Sequence, residues 1–260
     1  MTVLRLGSTA PDFEADTTEG PIKFHEWIGN SWVMLFSHPG DFTPVCTTEL
    51  ADISHRLPQF VSRNVKIIGI STDNVQSHHE WIEDIIEIGN KTAPTCVEYP
   101  IIADPERNIS RLYEMLDEQD ETNVDGEGLP YTIRTVFIID PRKKIRTMLH
   151  YPASVGRDFD EVVRYDISAF TSINEHCLLN DSRPYSIIDA LQLSEQHKVM
   201  TPCNWRKGDD VVVHPSLSDE EARKLFPSYK TQLVSLFVLL VIHPLHGKSS
   251  TALSSHNVAG

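Results

Sequence analysis

One cysteine lies in a segment whose residue types favour a reactive sulfur. Thr43 followed by Pro44 is typical of a helix start, with Thr43 as N-cap, and this start would place Cys46 at about the third helical position. A sulfur there lies among unpaired backbone N–H groups at the positive end of the helix dipole. These surroundings favour the nucleophilic thiolate, although the same pattern also suits an unreactive cysteine on a capped helix. The Thr43 hydroxyl can donate a hydrogen bond to an anion or a substrate oxygen.

The other three cysteines form no recognisable pattern. Cys96, Cys177 and Cys203 are widely and unevenly spaced, which fits neither a disulfide framework nor paired CxxC zinc ligands. A thioredoxin-type disulfide reductase would also need CxxC. We therefore expect reduced thiols in a cytosolic protein, and residues 1–16 show no secretory-signal pattern.

The composition argues against several classes of protein. The chain has 260 residues, a mass of 29.4 kDa and a formal net charge of −14. Because so acidic a chain repels phosphate backbones, we expect no nucleic-acid partner. No apolar run reaches the roughly 20 residues that a membrane-spanning helix needs, so we expect no transmembrane segment.

Residues 1–150 alternate between strand-like and helix-like segments. Short apolar runs predict buried strands, and apolar residues at helical spacing predict helices between them. The predicted strands are 32–37, 65–71, 100–103, 135–140 and 145–150, and the predicted helices are 43–60, 74–88 and one that starts at Asp104-Pro105. The order β-α-β-α-β-α-β-β indicates an α/β sandwich with a mixed sheet and a terminal hairpin.

The pattern becomes irregular after residue 156. Helix-like segments occur at 159–164 and 188–196, but residues 165–187 show no period, which is unusual inside a compact domain. Residues 233–242 are a dense apolar run, too short to span a membrane. This run predicts a buried strand or an aggregation-prone segment.

The cysteine segment resembles the active-site motif of a known family. Pro39, Thr43 and Cys46 match the PxxxTxxC motif of peroxiredoxins, and the surrounding FSHPGDFTPVCTTEL is similar to the one-Cys, peroxiredoxin-six subfamily. The similarity continues through 67–73, 151–157 and 188–229. It implies a thioredoxin-like α/β sandwich with a mixed β-sheet and a smaller C-terminal extension.

The resemblance also implies a division of the chain. Residues 3–164 would form the thioredoxin-like peroxidase domain, and residues 188–232 the C-terminal extension that makes dimer contacts in the family. Residues 165–187 would be an insert and residues 233–260 an atypical apolar and low-complexity tail. Unspliced or mispredicted sequence would explain both segments, and an adapted isoform is the alternative.

The family's chemistry is carried over residue by residue. Cys46 would be the peroxidatic cysteine, which attacks a peroxide oxygen and becomes a sulfenic acid. Thr43 would hydrogen-bond the incoming peroxide, and Pro39 would shield the sulfur from bulk water. Arg134 would stabilise the thiolate and the charge that develops on the leaving oxygen.

Three further residues are expected to support this site. His38 matches the histidine near the sulfur in this subfamily, and the alternative for a lone histidine is a hydrogen-bond donor in the loop. Glu49, one helical turn after Cys46, would anchor the arginine. Arg157 would add a second positive charge, against a default interpretation as a surface arginine.

The implied function is a thiol-dependent peroxidase of antioxidant defence, acting on hydrogen peroxide and on organic and phospholipid hydroperoxides. One-Cys turnover uses an external reductant such as glutathione or another thiol, and a resolving role for Cys203 is the less favoured alternative. The resemblance also implies a homodimer without metal, haem or flavin, and the reduced thiols predict a cytoplasmic location. His78 and His79 are expected to be solvated helix residues, because no third ligand has suitable spacing.

Two other activities remain as alternatives. The subfamily can carry a calcium-independent phospholipase A2 activity, for which Ser31 and His25 occupy matching positions. The position of the triad's acid holds Arg142, with Asp140 two residues earlier, so we expect weak or absent lipase activity. A redox-regulated chaperone with little peroxidase turnover is the other alternative, which the apolar tail makes conceivable.

Overall fold

The chain divides into two units, Met1–Phe159 and Asp160–Gly260. The computed structural model describes residues 3–163, 187–202, 205–227, 230–234 and 237–242. The sequence-predicted insert, 165–187, lies outside the described residues except for Ile187, and so do Cys177 and Cys203.

A five-stranded sheet forms the centre of the first unit. The elements in chain order are β1 Glu14–Ala15, β2 Ile22–Lys23, α1 Phe24–Ile28, β3 Trp32–Ser37, α2 Pro44–Ser62, β4 Val65–Ser71, α3 Val75–Gly89, β5 Ile101–Ala103, α4 Asn108–Leu112, β6 Arg134–Ile139 and β7 Ile145–Tyr151. The sheet has the order β5-β4-β3-β6-β7, and β1 and β2 form a separate pair. Strands β3, β4 and β5 are parallel, whereas β6 is antiparallel to both β3 and β7. The mixed sheet and its terminal hairpin confirm the predicted order of elements.

Strand β3 is buried along its whole length because the sheet is covered on both faces. Val33 and Leu35 belong to a core cluster with Phe24 of α1. Phe36, which alternates with them along the strand, instead makes edge contacts with the rings of Tyr99 and Phe159. The loop that follows Ser37 therefore starts from a rigid point at the centre of the unit.

Helix α4 begins later than the sequence predicts. Arg107 precedes it with a left-handed backbone (φ 58°), so the chain turns before the helix instead of starting it at Asp104-Pro105. The Asp104 carboxylate still caps the helix, because it accepts hydrogen bonds from the backbone N–H groups of Ile109 and Ser110.

The second unit has its own small core. Its elements are α5 Phe159–Val163, which begins at the boundary, and then α6 Ile187–His197, β8 Val199–Met200, β9 Val211–Val213, α7 Asp219–Leu225, β10 Lys230–Val234 and β11 Phe237–Ile242. The four strands form an antiparallel sheet of order β10-β11-β9-β8. Of the apolar run 233–242, residues 233–234 belong to β10 and residues 237–242 to β11, whereas 235–236 and 243–260 lie outside the described residues.

Among the described residues, no helix combines the length and the apolar character that crossing a membrane would require.

Candidate active site

Cys46 lies at the third position of α2, as the sequence predicts, and its side chain is fully buried. Thr43 is the N-cap, and its carbonyl oxygen accepts the first helical hydrogen bond from Thr47 N at 3.0 Å. The Thr43 hydroxyl does not cap the helix but donates to Gly40 O at 2.9 Å. The backbone N–H groups of the first helical turn therefore have no side-chain cap from Thr43.

A guanidinium contacts the sulfur. Arg134, the first residue of β6, donates from Nη1 to Cys46 Sγ at 3.3 Å and to Glu49 Oε2 at 2.7 Å. Its Nε donates to Ala153 O at 2.8 Å, so the planar group is held from two sides. A fixed positive charge at this distance favours negative charge on the sulfur.

Glu49 is bound by a second arginine as well. Arg157 donates to the Glu49 carboxylate from its backbone N at 2.7 Å, from Nε at 3.0 Å and from Nη2 at 2.8 Å. Its Nη1 donates to Thr135 O at 2.7 Å. The default interpretation of Arg157 as a surface residue is therefore wrong, because it is 8% exposed and fully engaged.

The charges of Arg134, Arg157 and Glu49 do not cancel. Burial alone would raise the pKa of Glu49, but the charges and hydrogen bonds of Arg157 and Arg134 hold the pKa of its carboxyl below its usual value. Glu49 is therefore an anion between two cations, which leaves one positive charge in excess. A thiolate on Cys46 is the group in contact with Arg134 that would balance this excess.

The loop that joins β3 to α2 is held by a second polar cluster. Pro39 is buried within this loop. His38 is fully buried, and its Nε2 lies 3.0 Å from Asp41 Oδ1. Asp41 Oδ2 accepts from Ser77 Oγ at 2.7 Å and lies 2.7 Å from His78 Nδ1.

Comparison with known families identifies the chain over both units. The model of the AhpC/TSA family matches residues 6–148, and that of the C-terminal domain of 1-Cys peroxiredoxin matches residues 190–228. The mitochondrial peroxiredoxin PRX1 of Saccharomyces cerevisiae is 44% identical over 226 residues, which cover 87% of this chain and 77% of that protein. Peroxiredoxin-6 of Gallus gallus is 44% identical over 227 residues, covering 87% and 90%.

The solved structures that are similar to this chain are also peroxiredoxins. A mutant of the peroxiredoxin 6 of Arenicola marina superposes with a TM-score of 0.77 at 39% identity, covering 94% of this chain and all of that one. The yeast mitochondrial 1-Cys peroxiredoxin gives 0.73 at 42% identity, covering 93% and 99%. This chain belongs to the one-Cys peroxiredoxins. It has their thioredoxin-like fold, and it is a thiol-dependent peroxidase.

One expectation about this peroxiredoxin is wrong. His78 is not solvated: it is fully buried, and its Nε2 contacts Ile102 O at 3.1 Å. His79, in contrast, is exposed. The sequence held a usable signal, because His78 precedes Trp81 by three residues and Ile85 by seven and so shares their apolar helix face. Asp41 carried no comparable signal.

The buried cluster also has the donor set of a metal site. Ligand atoms of His38, Asp41 and His78 all lie within 4.8 Å of one another, and two imidazoles with a carboxylate are ligands that zinc accepts. The two contacts to Asp41, however, have hydrogen-bond lengths of 3.0 and 2.7 Å. Protons shared between these groups account for the arrangement, and thiolate chemistry needs no ion there.

The candidate phospholipase residues of this peroxiredoxin have other partners. His25 Nε2 contacts Ala10 O at 2.8 Å, and Ser31 Oγ donates to Asn64 Oδ1 at 3.0 Å. Asp140 is buried in the β6–β7 turn, where it accepts from Arg142 N at 2.9 Å. Within the described part of the chain, no hydrogen bond or ion pair joins the three side chains as a triad requires.

Replacing Glu49 by glutamine should destabilise the protein at neutral pH by about 3–5 kcal/mol, because two buried arginines lose their anion. The carboxyl's pKa is lower in the folded than in the unfolded state, so its contribution to stability is present above the unfolded value of about 4.3 and is lost as the pH falls through the folded value. Urea unfolding should therefore show that the difference in free energy of unfolding between wild type and Glu49→Gln becomes smaller below about pH 4.

Glu83→Gln is the matched control, since Glu83 is exposed on α3 and should change stability little at any pH. If the difference in free energy of unfolding between wild type and Glu49→Gln stayed constant down to pH 3, the assigned ion pairs would be contradicted.

Proposed function

We propose that Cys46 is the peroxidatic cysteine and that it reduces hydroperoxides through a sulfenic acid. The observation that carries this proposal is the 3.3 Å contact between Arg134 Nη1 and a fully buried Sγ. The thiolate attacks one peroxide oxygen, the O–O bond breaks, and the other oxygen leaves as hydroxide or alkoxide and takes up a proton. The sulfur gains an oxygen and becomes Cys–SOH.

The surrounding residues act on different atoms of this reaction. Arg134 stabilises the thiolate before attack and negative charge on the departing oxygen during it. Thr43 contributes a hydroxyl next to the sulfur-bearing helix turn, to orient the peroxide. Pro39 and the burial of Cys46 keep bulk water from the sulfur, and Glu49 and Arg157 hold Arg134 in place.

The substrates are hydrogen peroxide and organic hydroperoxides, including those of phospholipids. A buried sulfur admits the smallest peroxide most easily. Two apolar side chains beside the site support the larger substrates: Phe42 precedes Thr43 and is 53% exposed, and Val45 precedes Cys46 and is 38% exposed. Such exposed apolar groups can contact an acyl chain whose hydroperoxide reaches the sulfur.

The reductant is an external thiol, with glutathione as the first candidate. Its thiolate attacks the sulfur of Cys–SOH, water leaves and a mixed disulfide forms. A second thiol then releases Cys46 as the thiol. The solved structure of the yeast mitochondrial 1-Cys peroxiredoxin is described as the basis of a thiol resolving mechanism via glutathione and thioredoxin systems, which supports a reductant of this class.

A homodimer and a cytoplasmic location complete the proposal. Strand β7 lies at an edge of the described sheet, and a second copy can add to such a strand; a monomer mass in light scattering would exclude the dimer. Return of Cys46 to the thiol in every cycle requires a reducing compartment, which the cytosol provides. Cell fractionation that finds the protein only in another compartment would exclude that location.

Cys46→Ser should reduce peroxide consumption to background, because no other described residue offers a sulfur in contact with a guanidinium. Cys96→Ser is the control: Cys96 is exposed and should be dispensable. Hydrogen peroxide and an organic hydroperoxide should be followed separately with a thiol in excess. Activity that survives Cys46→Ser but not Cys96→Ser would contradict the assignment.

Cys203→Ser should retain turnover with glutathione and with thioredoxin within about twofold, since one-Cys turnover takes its second thiol from outside the chain. The measurement is steady-state peroxide reduction with each reductant. If this substitution abolished thioredoxin-dependent turnover while Cys46 still reacted with peroxide, Cys203 would be a resolving cysteine.

A further inference from the structure

One group of buried titratable side chains lies in the first unit outside the contacts of Cys46. We propose that Asp41 and His78 are a positioning pair for the peroxidase reaction: their buried ion pair holds the loop of Pro39 and Thr43 in the geometry that receives the peroxide. This inference rests on the proposed function and adds residues that act on the peroxide only through the loop.

The hydrogen-bond pattern defines the charge of His78. Its Nδ1 lies 2.7 Å from Asp41 Oδ2, and its Nε2 lies 3.1 Å from Ile102 O. A carboxylate and a backbone carbonyl are both acceptors, so each ring nitrogen must carry a proton to satisfy its partner. His78 is therefore an imidazolium, and it forms an ion pair with Asp41 in which both side chains are at most 1% exposed.

His38 differs from His78 in its protonation state. Its Nε2 donates to Asp41 Oδ1 at 3.0 Å, whereas its Nδ1 is buried without a hydrogen-bond partner. A proton on that second nitrogen would be unsatisfied, so His38 is neutral, in line with the lowering of its pKa by burial. The cluster thus holds one cation, His78, and one anion, Asp41, with Asp73 as a further acid that accepts from Asp41 N at 2.9 Å.

The loop between Pro39 and Thr43 needs such an anchor. Phe42, next to Asp41, has a left-handed backbone (φ 55°), a conformation that is strained for a bulky residue other than glycine. Its exposed ring has no place in the core that would compensate for this strain. The bonds made by the Asp41 carboxylate, two to histidines and one to Ser77, supply the compensation within one residue of the strain.

Helix α3 contacts the start of α2 as well. Trp81, one turn after His78, donates from Nε1 to Thr47 Oγ1 at 3.0 Å, and Thr47 follows Cys46. The indole also lies 5.0 Å from the His38 ring. Successive turns of α3 therefore hold the loop through His78 and the cysteine's helix turn through Trp81.

The pair should act on peroxide recognition more than on the sulfur itself. Arg134 takes its contacts from Glu49 and Ala153, neither of which belongs to the loop. A loosened loop would misplace the Thr43 hydroxyl, and misplacement of about 1 Å can cost about 100-fold in rate. Attack of Cys46 on an electrophile that does not need Thr43 should change far less.

Two rate constants separate these effects in the full chain. Asp41→Asn and His78→Gln should lower the second-order rate constant for hydrogen peroxide by about 10- to 100-fold. They should change the rate of alkylation of Cys46 by iodoacetamide by less than about threefold, because the guanidinium contact stays in place. His79→Gln is the matched control, since His79 is the exposed neighbour of His78 and should leave both rate constants at the wild-type value.

The pH profile gives a readout that a purely structural role would not move. Hydrogen bonds and charge from His38 and His78 hold the pKa of Asp41 well below its usual range, against the effect of burial. Removing the His78 charge raises that pKa, so the acid limb of the peroxide reaction should move to higher pH in His78→Gln. Both rate constants depend in the same way on the fraction of Cys46 that is ionised. Their ratio therefore no longer depends on that fraction, and its pH dependence reports the effect of Asp41.

The outcomes are distinct. Three outcomes would each overturn the positioning role. The peroxide and alkylation rates could fall by the same factor, the acid limb could stay at the same pH, or the two variants could have the rate constants of His79→Gln. If the two variants do not fold, Ser77→Ala, which removes one bond to Asp41, replaces them; its peroxide rate should fall with alkylation unchanged, and no fall would overturn the inference. If wild type and His79→Gln themselves consume no peroxide, the proposed function fails and the inference falls with it.

Discussion

The carboxylate of Glu49 is the contact on which the site depends. Arg134 and Arg157 both bind it, and these three side chains are almost completely buried. Two cations around one anion would be unfavourable inside a protein unless a further negative charge completed the cluster. Cys46 Sγ lies against Arg134, so the thiolate of the proposed reaction would complete it. Structural stability and chemical reactivity thus depend on the same charges.

The fold brings these charges together from separate elements. Glu49 and Cys46 share one face of α2, Arg134 starts β6, and Arg157 follows β7. The order of the sheet explains the meeting point, because β6 lies beside β3, and β3 leads through the loop of Pro39 and Thr43 into α2. The rings of Phe36 and Phe159 flank the Arg157 guanidinium at 5.4 and 5.2 Å from their centroids, which keeps water away from the ion pairs.

A second charged cluster contacts the same loop. There Asp41 is the anion that collects donors, from His38, Ser77 and His78, and helix α3 supplies two of them. The loop is thus fixed at its middle by a carboxylate, while the cysteine's helix is fixed by Glu49 one turn after the sulfur. Both anchors are buried acids whose pKa values are lowered by basic partners. The geometry of this site is therefore maintained by buried ion pairs in addition to apolar packing.

The sequence by itself determined the order of elements, the helix start at Pro44 and the placement of Cys46 in its first turn. These features follow from apolar spacing and from the Thr43-Pro44 pair, which act within a few residues along the chain. Only the tertiary structure decided that Arg157 is buried, since its partner Glu49 is 108 residues away, and that His78 is an ion-pair partner of Asp41, 37 residues away. Helical spacing could place His78 on an apolar face, but it could not say which acid would meet it there, because such a meeting depends on how distant segments pack and not on any local pattern.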